Sequence, residues 1–215
     1  MSEALPSREE RLAALATRTF DVLVVGGGIT GAAVARDAAC RGLSAVLVER
    51  EDWGSGTSWR SSKLIHGGLR YLQTGDVGLV FESLSERGRL MRLAPHLVWP
   101  AEFLFAAYRG RGFPGWVLEL GLMAYETLAL RRLRTSRRRL SREEVIALEP
   151  PLASPDLLGG SAYGDGRTDD ARLTLENVLD AAALGAVALS RVEVLGLLRE
   201  GPGKLRGAQV RDRDR

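Results

Sequence analysis

The feature that most constrains this chain is a glycine pattern between two apolar runs near the N-terminus. Gly26, Gly28 and Gly31 form G-x-G-x-x-G after an apolar run at residues 20–25, and an alanine-rich segment follows to residue 41. The first glycine allows a tight turn, the second lets a pyrophosphate approach the backbone, and the third lets a helix pack close to a sheet. The pattern predicts a strand, a turn and a helix whose N-terminus holds phosphate.

The second apolar run, residues 45–48, ends at Glu49, which lies 18 residues after Gly31. A carboxylate at this point accepts hydrogen bonds from ribose hydroxyls, and its charge repels a 2′-phosphate. Residues 22–25 and 45–48 are apolar at every position, which is typical of parallel strands buried on both faces. Strand, glycines, helix, strand and acid together predict a dinucleotide site, with a chance βαβ unit as the alternative.

The loop after Glu49 is unusual for a nucleotide-binding domain. Residues 54–63 read GSGTSWRSSK, and their hydroxyl and N–H groups suit close approach to a pyrophosphate or to the edge of a flavin ring. A plain surface loop is the alternative interpretation. An NAD-dependent dehydrogenase is disfavoured, because its domain would continue with another helix and strand soon after the acid.

Three segments resemble the FAD-dependent glycerol-3-phosphate dehydrogenase family. They read VVGGGITG at residues 24–31, GTSWRSSKLIHGGLRYL at residues 56–72 and DDARLTLEN at residues 169–177. Trp59 departs from the family by replacing a small residue, and Gly164 stands where a second aromatic residue is common. The resemblance implies an α/β fold, a Rossmann-like FAD-binding domain of the amino-acid-oxidase type with an inserted α+β segment on the substrate side.

The resemblance also implies an activity, the oxidation of sn-glycerol 3-phosphate to dihydroxyacetone phosphate with hydride transfer to FAD and onward to quinone. It makes His66 the catalytic base and assigns the substrate phosphate to Arg70 and Tyr71. From the residues alone, a structural imidazole and a surface ion pair remain alternatives for His66 and Arg70. The residues expected at FAD are Gly26, Gly28, Thr30, Gly31, Glu49, Thr57, Ser58, Ser61, Ser62, Lys63 and His66.

Four segments are expected along the chain: a helical extension at 1–19, the FAD-binding βαβ half with its flavin loop at 20–74, an inserted substrate segment at 75–160, and a return to the FAD-binding domain at 161–215. Family members continue well beyond this length, so we expect a C-terminally incomplete FAD-binding domain whose open sheet edge favours aggregation. A truncated, non-catalytic nucleotide-binding fragment is therefore one alternative. An FAD-dependent amine or amino-acid oxidase is another.

Periodicity and capping signals predict the remaining elements. Helices are expected at 7–19, 76–93, 115–132, 141–148 and 171–184, strands at 101–108 and 186–190, and a hairpin of 192–198 with 205–210. Ser141 opens a capping box, and Asp169 or Asp170 caps the helix that follows. An arginine cluster after residue 130 is either a contact for anionic lipid headgroups or a solvated basic loop.

Composition narrows the partners and the compartment. The net charge is +3 and only Lys63 and Lys204 are lysines, which we interpret as compositional bias rather than a nucleic-acid footprint. Cys40 is the single cysteine and there are two histidines, so no intrachain disulfide or metal cluster is expected, in keeping with a reducing compartment. The charged N-terminal segment does not resemble a secretory signal. Together with the resemblance, this implies a cytoplasmic protein peripheral on the inner face of the plasma membrane, with a membrane surface and a second copy of the chain as candidate partners.

Overall fold

The structure is a computed structural model that describes residues 5–68, 76–110, 123 and 137–214. The chain divides into two compact units: Met1–Ser62 with Asp170–Arg215, and Lys63–Asp169. From the sequence, the corresponding boundaries are expected at 74/75 and 160/161. The second of those positions lies inside a long strand of the second unit.

The first unit is built on a parallel sheet. Strands β1 (Val22–Val25), β2 (Ala45–Val48) and β7 (Val187–Leu189) lie in the order β1-β2-β7. Its other elements are α1 (Arg8–Thr17), α2 (Ile29–Cys40), α5 (Asp170–Ala183), β8 (Val192–Arg199) and β9 (Leu205–Asp212). Because β1, α2 and β2 form a parallel βαβ unit, the predicted Rossmann-like α/β class is confirmed.

Two hydrophobic clusters cover the two faces of this sheet. On one face, alanines of α2 and Val178 of α5 pack against Leu47 of β2. On the other face, α1 and the β8/β9 hairpin pack against Val46 and Val48. Small alanine side chains let α2 pack close to the strands, and the short turn at residues 26–28 places its N-terminus at the end of β1.

Burial on both faces, expected of both apolar strands, is right for β2 and wrong for β1. All four residues of β2 are buried, because β2 is the central strand and the two clusters cover its two faces. In β1, Leu23 and Val25 are 38% and 59% exposed. They pair with Val46 and Val48 and so share their face of the sheet, but the cluster that buries Val46 and Val48 does not include them.

The second unit contains an antiparallel sheet. Its strands are β3 (Leu64–Ile65), β4 (Val98–Tyr108), β5 (Arg138–Leu140) and β6 (Leu157–Thr168), and β6 pairs with each of the other three. Helices α3 (Val77–Leu93) and α4 (Arg142–Leu148) accompany it. Strand β6 was not predicted, because LLGGSAYGDGRT is rich in small residues and lacks the apolar alternation of a half-buried strand.

Capping signals account for several helix starts. The hydroxyls of Ser7 and Ser141 each accept the backbone N–H of the glutamate three residues later. The carboxylate of that glutamate accepts the backbone N–H of the serine, so the capping box expected at Ser141 is confirmed. Asp76 accepts the backbone N–H of Leu79 at the start of α3. The helix expected at 115–132 lies outside the described residues, apart from Met123. In the part of the chain that the structure describes, no helix combines the length and apolarity needed to cross a bilayer.

Candidate cofactor site

The glycine turn after β1 has the geometry that its sequence predicts. Gly26 has φ +106°, in the region that favours glycine. A Cβ on Gly31 would overlap the carbonyl oxygen of Gly26 and lie 3.1 Å from its carbonyl carbon. The third glycine of the pattern therefore serves the turn as well as the helix–sheet packing, since the first turn of α2 lies directly against Gly26.

The N-terminus of α2 receives a cap from outside the helix. Gly28 is the N-cap and has no side chain to offer, but Ser58 Oγ accepts the backbone N–H of Ile29 at 2.9 Å. Ser58 belongs to the loop after β2, so this bond ties the loop to the helix start. Because the hydroxyl accepts here, its own proton is available to a ligand oxygen, and the positive end of the helix dipole adds to the attraction for an anion.

Glu49 ends β2 and folds back over the glycine turn. One carboxylate oxygen accepts the backbone N–H of Gly27 at 2.7 Å, and the other accepts that of Glu51 at 2.8 Å. A carboxylate has about four lone-pair sites, so each oxygen can still accept one further hydrogen bond. Glu49 therefore holds the turn in place and retains the acceptors that ribose hydroxyls require.

These groups border a cleft of about 630 Å³ within the first unit. Its volume lies in the usual range of ligand sites, about 300–1,000 Å³. The cleft is lined by Gly28, Glu49, Arg50, Glu51, Asp52, Ser55, Gly56, Thr57, Ser58, Arg60 and Arg191. A glycine-bordered helix start, a carboxylate at the strand end and a hydroxyl-rich loop fit a dinucleotide such as FAD. Thr30 is exposed in the same first turn of α2.

Asp170, the first residue of α5, holds the C-terminal end of the flavin loop, the segment at residues 54–63. Its Oδ2 accepts the hydroxyl of Ser61 at 2.7 Å and the backbone N–H of Ser61 at 3.2 Å, while Oδ1 accepts the N–H of Ala171 at 2.9 Å. Asp170 is buried, whereas Ser61 and Ser62 are exposed. The local sequence predicts only a helix cap at Asp170, because Ser61 is 109 positions away.

We expect Asp170→Asn to loosen this loop. An amide can replace only one carboxylate oxygen as acceptor, so its NH2 group would face a backbone or hydroxyl donor. Leaving a buried donor unsatisfied costs about 1–3 kcal/mol. Urea unfolding should report the loss of stability, and amide hydrogen exchange should accelerate at residues 57–62. Asp169→Asn, at an exposed neighbouring position, is the matched control, and equal effects of the two variants would contradict this role for Asp170.

A second set of charges stabilises the wall of the cleft. Glu51 pairs with Arg213, and its other carboxylate oxygen lies 3.2 Å from Arg191. The hydrogen bond from Arg213 lowers the pKa of Glu51, and the charges of Arg213 and Arg191 act in the same direction. Arg191 has φ +59° and donates its backbone N–H to the carbonyl of Glu51 at 3.1 Å. No local pattern could have identified these residues, because their partners are about 140–160 positions apart in the chain.

Lys63 and His66 lie in the second unit. Lys63 is exposed with φ +57°, and its carbonyl accepts the N–H of Thr168 at 3.0 Å. His66 follows β3, and its Nδ1 accepts the backbone N–H of Gly68 at 3.1 Å. A neutral imidazole that accepts at Nδ1 has its proton on Nε2. The ring therefore presents a donor at Nε2 in this arrangement.

Some of the residues predicted to bind substrate or lipid lie outside the part of the chain that the structure describes. Arg70 and Tyr71, assigned to the substrate phosphate, lie outside the described residues. Only part of the arginine cluster is described; Arg138 lies 3.7 Å from Glu102, and the role of the cluster in lipid binding stays a prediction. Within the described ranges, no group of three or more His, Cys, Asp or Glu side chains is arranged to hold a metal ion.

The chain is similar to proteins of known family. A family model described as DAO, FAD dependent oxidoreductase, matches residues 21–214. The chain is 40% identical over 215 residues to a protein of Enterococcus casseliflavus named alpha-glycerophosphate oxidase, covering 99% of the chain and 35% of that protein. It is 45% identical over 197 residues to a protein of Mycobacterium leprae named glycerol-3-phosphate dehydrogenase, covering 91% of the chain and 33% of that protein.

The fold also matches that of a solved structure. The glycerol-3-phosphate dehydrogenase from Bacillus halodurans, complexed with FAD, matches with a TM-score of 0.71 at 33% identity, over 96% of this chain and 33% of that one. The chain thus spans about a third of the length of the relatives that it matches.

Proposed function

The chain belongs to the family of FAD-dependent oxidoreductases, and from this membership we propose that it acts in the FAD-linked oxidation of sn-glycerol 3-phosphate to dihydroxyacetone phosphate. The observation that carries the proposal is its identity of 40% and 45%, over nearly the whole chain, to proteins named for this substrate. The cleft of the first unit supports FAD as the cofactor, since the start of α2, the carboxylate of Glu49 and the hydroxyl groups of the loop at residues 54–63 suit a dinucleotide. The Lys63–Leu72 segment supports the substrate half through its resemblance to the family.

Bound FAD supplies the two-electron acceptor, and the chain supplies position and field. The start of α2, with Ser58 and Thr57, binds the pyrophosphate, and Glu49 accepts from ribose hydroxyls. His66 is the proposed base at the secondary alcohol. Since Nδ1 already accepts from Gly68, Nε2 can take a proton only when the ring changes tautomer and that hydrogen bond opens. Arg70 and Tyr71 are proposed to hold the substrate phosphate, which a guanidinium meets with two parallel hydrogen bonds.

The acceptor that we propose for the second half-reaction is a quinone. Relatives of both names match at similar identity, 40% and 42% for two oxidases and 38% and 45% for two dehydrogenases, so the proposed quinone rests on the resemblance to the dehydrogenase family. With a quinone acceptor, the protein would act at the inner face of the plasma membrane, and the arginines after residue 130 would contact anionic lipid. A homodimer is part of the same proposal.

An anaerobic absorbance spectrum of the purified full chain, from about 350 to 500 nm, tests the proposal directly. We expect flavin bands that bleach when glycerol 3-phosphate is added, followed by reoxidation with a soluble quinone faster than with oxygen. Glycine and L-proline are the control substrates. Bands that bleach only with an amino acid would favour an amine oxidase, and bands that bleach only with dithionite would contradict the proposed substrate.

A further inference from the structure

Trp59 and Arg60 form a stacked pair at the edge of the cleft. The guanidinium carbon of Arg60 lies 5.1 Å from the centroid of the Trp59 ring. Trp59 is itself anchored, because its indole N–H donates to the carbonyl of Ser55 at 2.9 Å. The backbone N–H of Arg60 donates to the carbonyl of Thr57 at 3.0 Å, which closes the 3₁₀ turn Thr57–Trp59. Both side chains thus extend from a turn with a defined backbone.

Stacking restrains the guanidinium without using its hydrogen-bond donors. A cation over an aromatic face is attracted to the ring, while the N–H groups of the planar fork stay in the guanidinium plane. Arginine normally loses considerable side-chain entropy when it is ordered on a ligand. A guanidinium already held against an indole loses less, so its contact with an anion is stronger.

Arg60 lines the same cleft as Gly28, Thr57 and Ser58. Those residues surround the start of α2, where the helix dipole favours an anion. Arg50 and Arg191 also line the cleft, and Arg191 already pairs with Glu51. Among the described residues, no carboxylate lies within ion-pair distance of Arg60. Its charge is therefore available to a ligand at the place where phosphate is expected.

We propose that Trp59 and Arg60 form an anion clamp, in which Arg60 binds the pyrophosphate of the dinucleotide and Trp59 positions its guanidinium. The inference rests on the proposed function only for the identity of the cofactor.

Calorimetric titration of the full chain with FAD, ADP and riboflavin tests the clamp. Arg60→Met should weaken FAD and ADP binding by about tenfold or more, as expected for loss of a hydrogen bond between charged groups. Riboflavin, which has no phosphate, should bind equally to both proteins. Binding of ADP by the wild type should also weaken with added salt more than binding by Arg60→Met.

The role of Trp59 is tested by a double-mutant cycle. Trp59→Ser should weaken FAD binding several-fold, Trp59→Phe should retain most of the affinity, and Trp59→Ser should add little in the Arg60→Met background. Arg41→Met is the matched control. Arg41 follows the C-terminal end of α2 and forms an exposed ion pair with Asp37. Its replacement removes the same charge as Arg60→Met and should leave the affinities for FAD, ADP and riboflavin unchanged.

The outcomes separate the clamp from the proposed reaction. Unchanged FAD and ADP affinities in Arg60→Met, with a wild type that binds FAD, would overturn the clamp alone. A full effect of Trp59→Ser in the Arg60→Met background would overturn the positioning role of Trp59. A wild type that binds neither FAD nor ADP would overturn both the clamp and the cofactor assignment. Clamp variants that behave as expected in a chain that leaves glycerol 3-phosphate unoxidised would support the clamp and contradict the reaction.

Discussion

Gly31→Ala is expected to abolish high-affinity FAD binding. The new Cβ would overlap the Gly26 carbonyl oxygen and lie 3.3 Å from Val24 Cγ1, so the turn or the helix start must move. Alanine gains about 1 kcal/mol of helix propensity over glycine. Overpacking against backbone costs about 3 kcal/mol, near the top of the usual range, so the steric cost exceeds the gain. Displacing the N–H groups that are proposed to bind the pyrophosphate weakens hydrogen bonds to a charged group, so FAD affinity should fall on the order of 100-fold.

Titration with FAD and urea unfolding of the same samples measure this effect. Gly207→Ala is the matched control, because a Cβ at Gly207 in β9 would meet no atom within 4 Å. It should leave FAD affinity unchanged and raise the free energy of unfolding by no more than about 1 kcal/mol. If Gly31→Ala bound FAD as tightly as this control, FAD affinity would not depend on the close approach of α2 to the glycine turn.

Arg87→Met is expected to lower the free energy of unfolding by about 3–5 kcal/mol. Arg87 of α3 and Asp165 of β6 are 1% and 3% exposed, and their charged atoms lie 2.6 Å apart. Asp165 also accepts the N–H of Gly166 at 2.9 Å. Removing one partner leaves the other charge buried without its counter-ion, which is far more costly than the net contribution of the pair itself.

The control lies two residues further along the same helix. Arg89 forms an exposed pair with Glu86 at 2.5 Å, so Arg89→Met should cost no more than about 1 kcal/mol. The double variant Arg87→Met with Asp165→Asn should be more stable than Arg87→Met alone, because it also removes the buried carboxylate charge. Urea denaturation of the wild type, Arg87→Met, Asp165→Asn and the double variant gives the coupling energy between the two charges. A value near zero would show that the two charges do not depend on each other.

Much of the first unit could be predicted from the sequence because its signals are local. Gly26 and Gly31 meet across one turn, and Ser7 with Glu10 caps α1 within three residues. Helix α2, strand β7 and the β8/β9 hairpin follow from periodicity and glycine turns. The resemblance to glycerol-3-phosphate dehydrogenases, and with it FAD as the cofactor, is confirmed by the family match and by the named relatives.

Other features could not be predicted, because their partners are far apart in the chain. Strand β6 has no apolar alternation and exists through pairing with β4 over most of its length. Ser61 and Asp170 are 109 positions apart, and Arg87 and Asp165 are 78 positions apart. The exposed side chains of β1 likewise depend on which elements cover that face, since β1 and β2 look equally apolar as sequences.

By itself, the sequence determined the family, the glycine turn and the acid that closes it, because each depends on backbone conformations set by a few adjacent residues. Only the tertiary structure decided that Asp170 holds the flavin loop, that Glu51 pairs with two distant arginines, and that Arg60 lines the cleft beside Trp59. These contacts depend on how strands and helices pack, and packing brings together side chains that no local pattern relates.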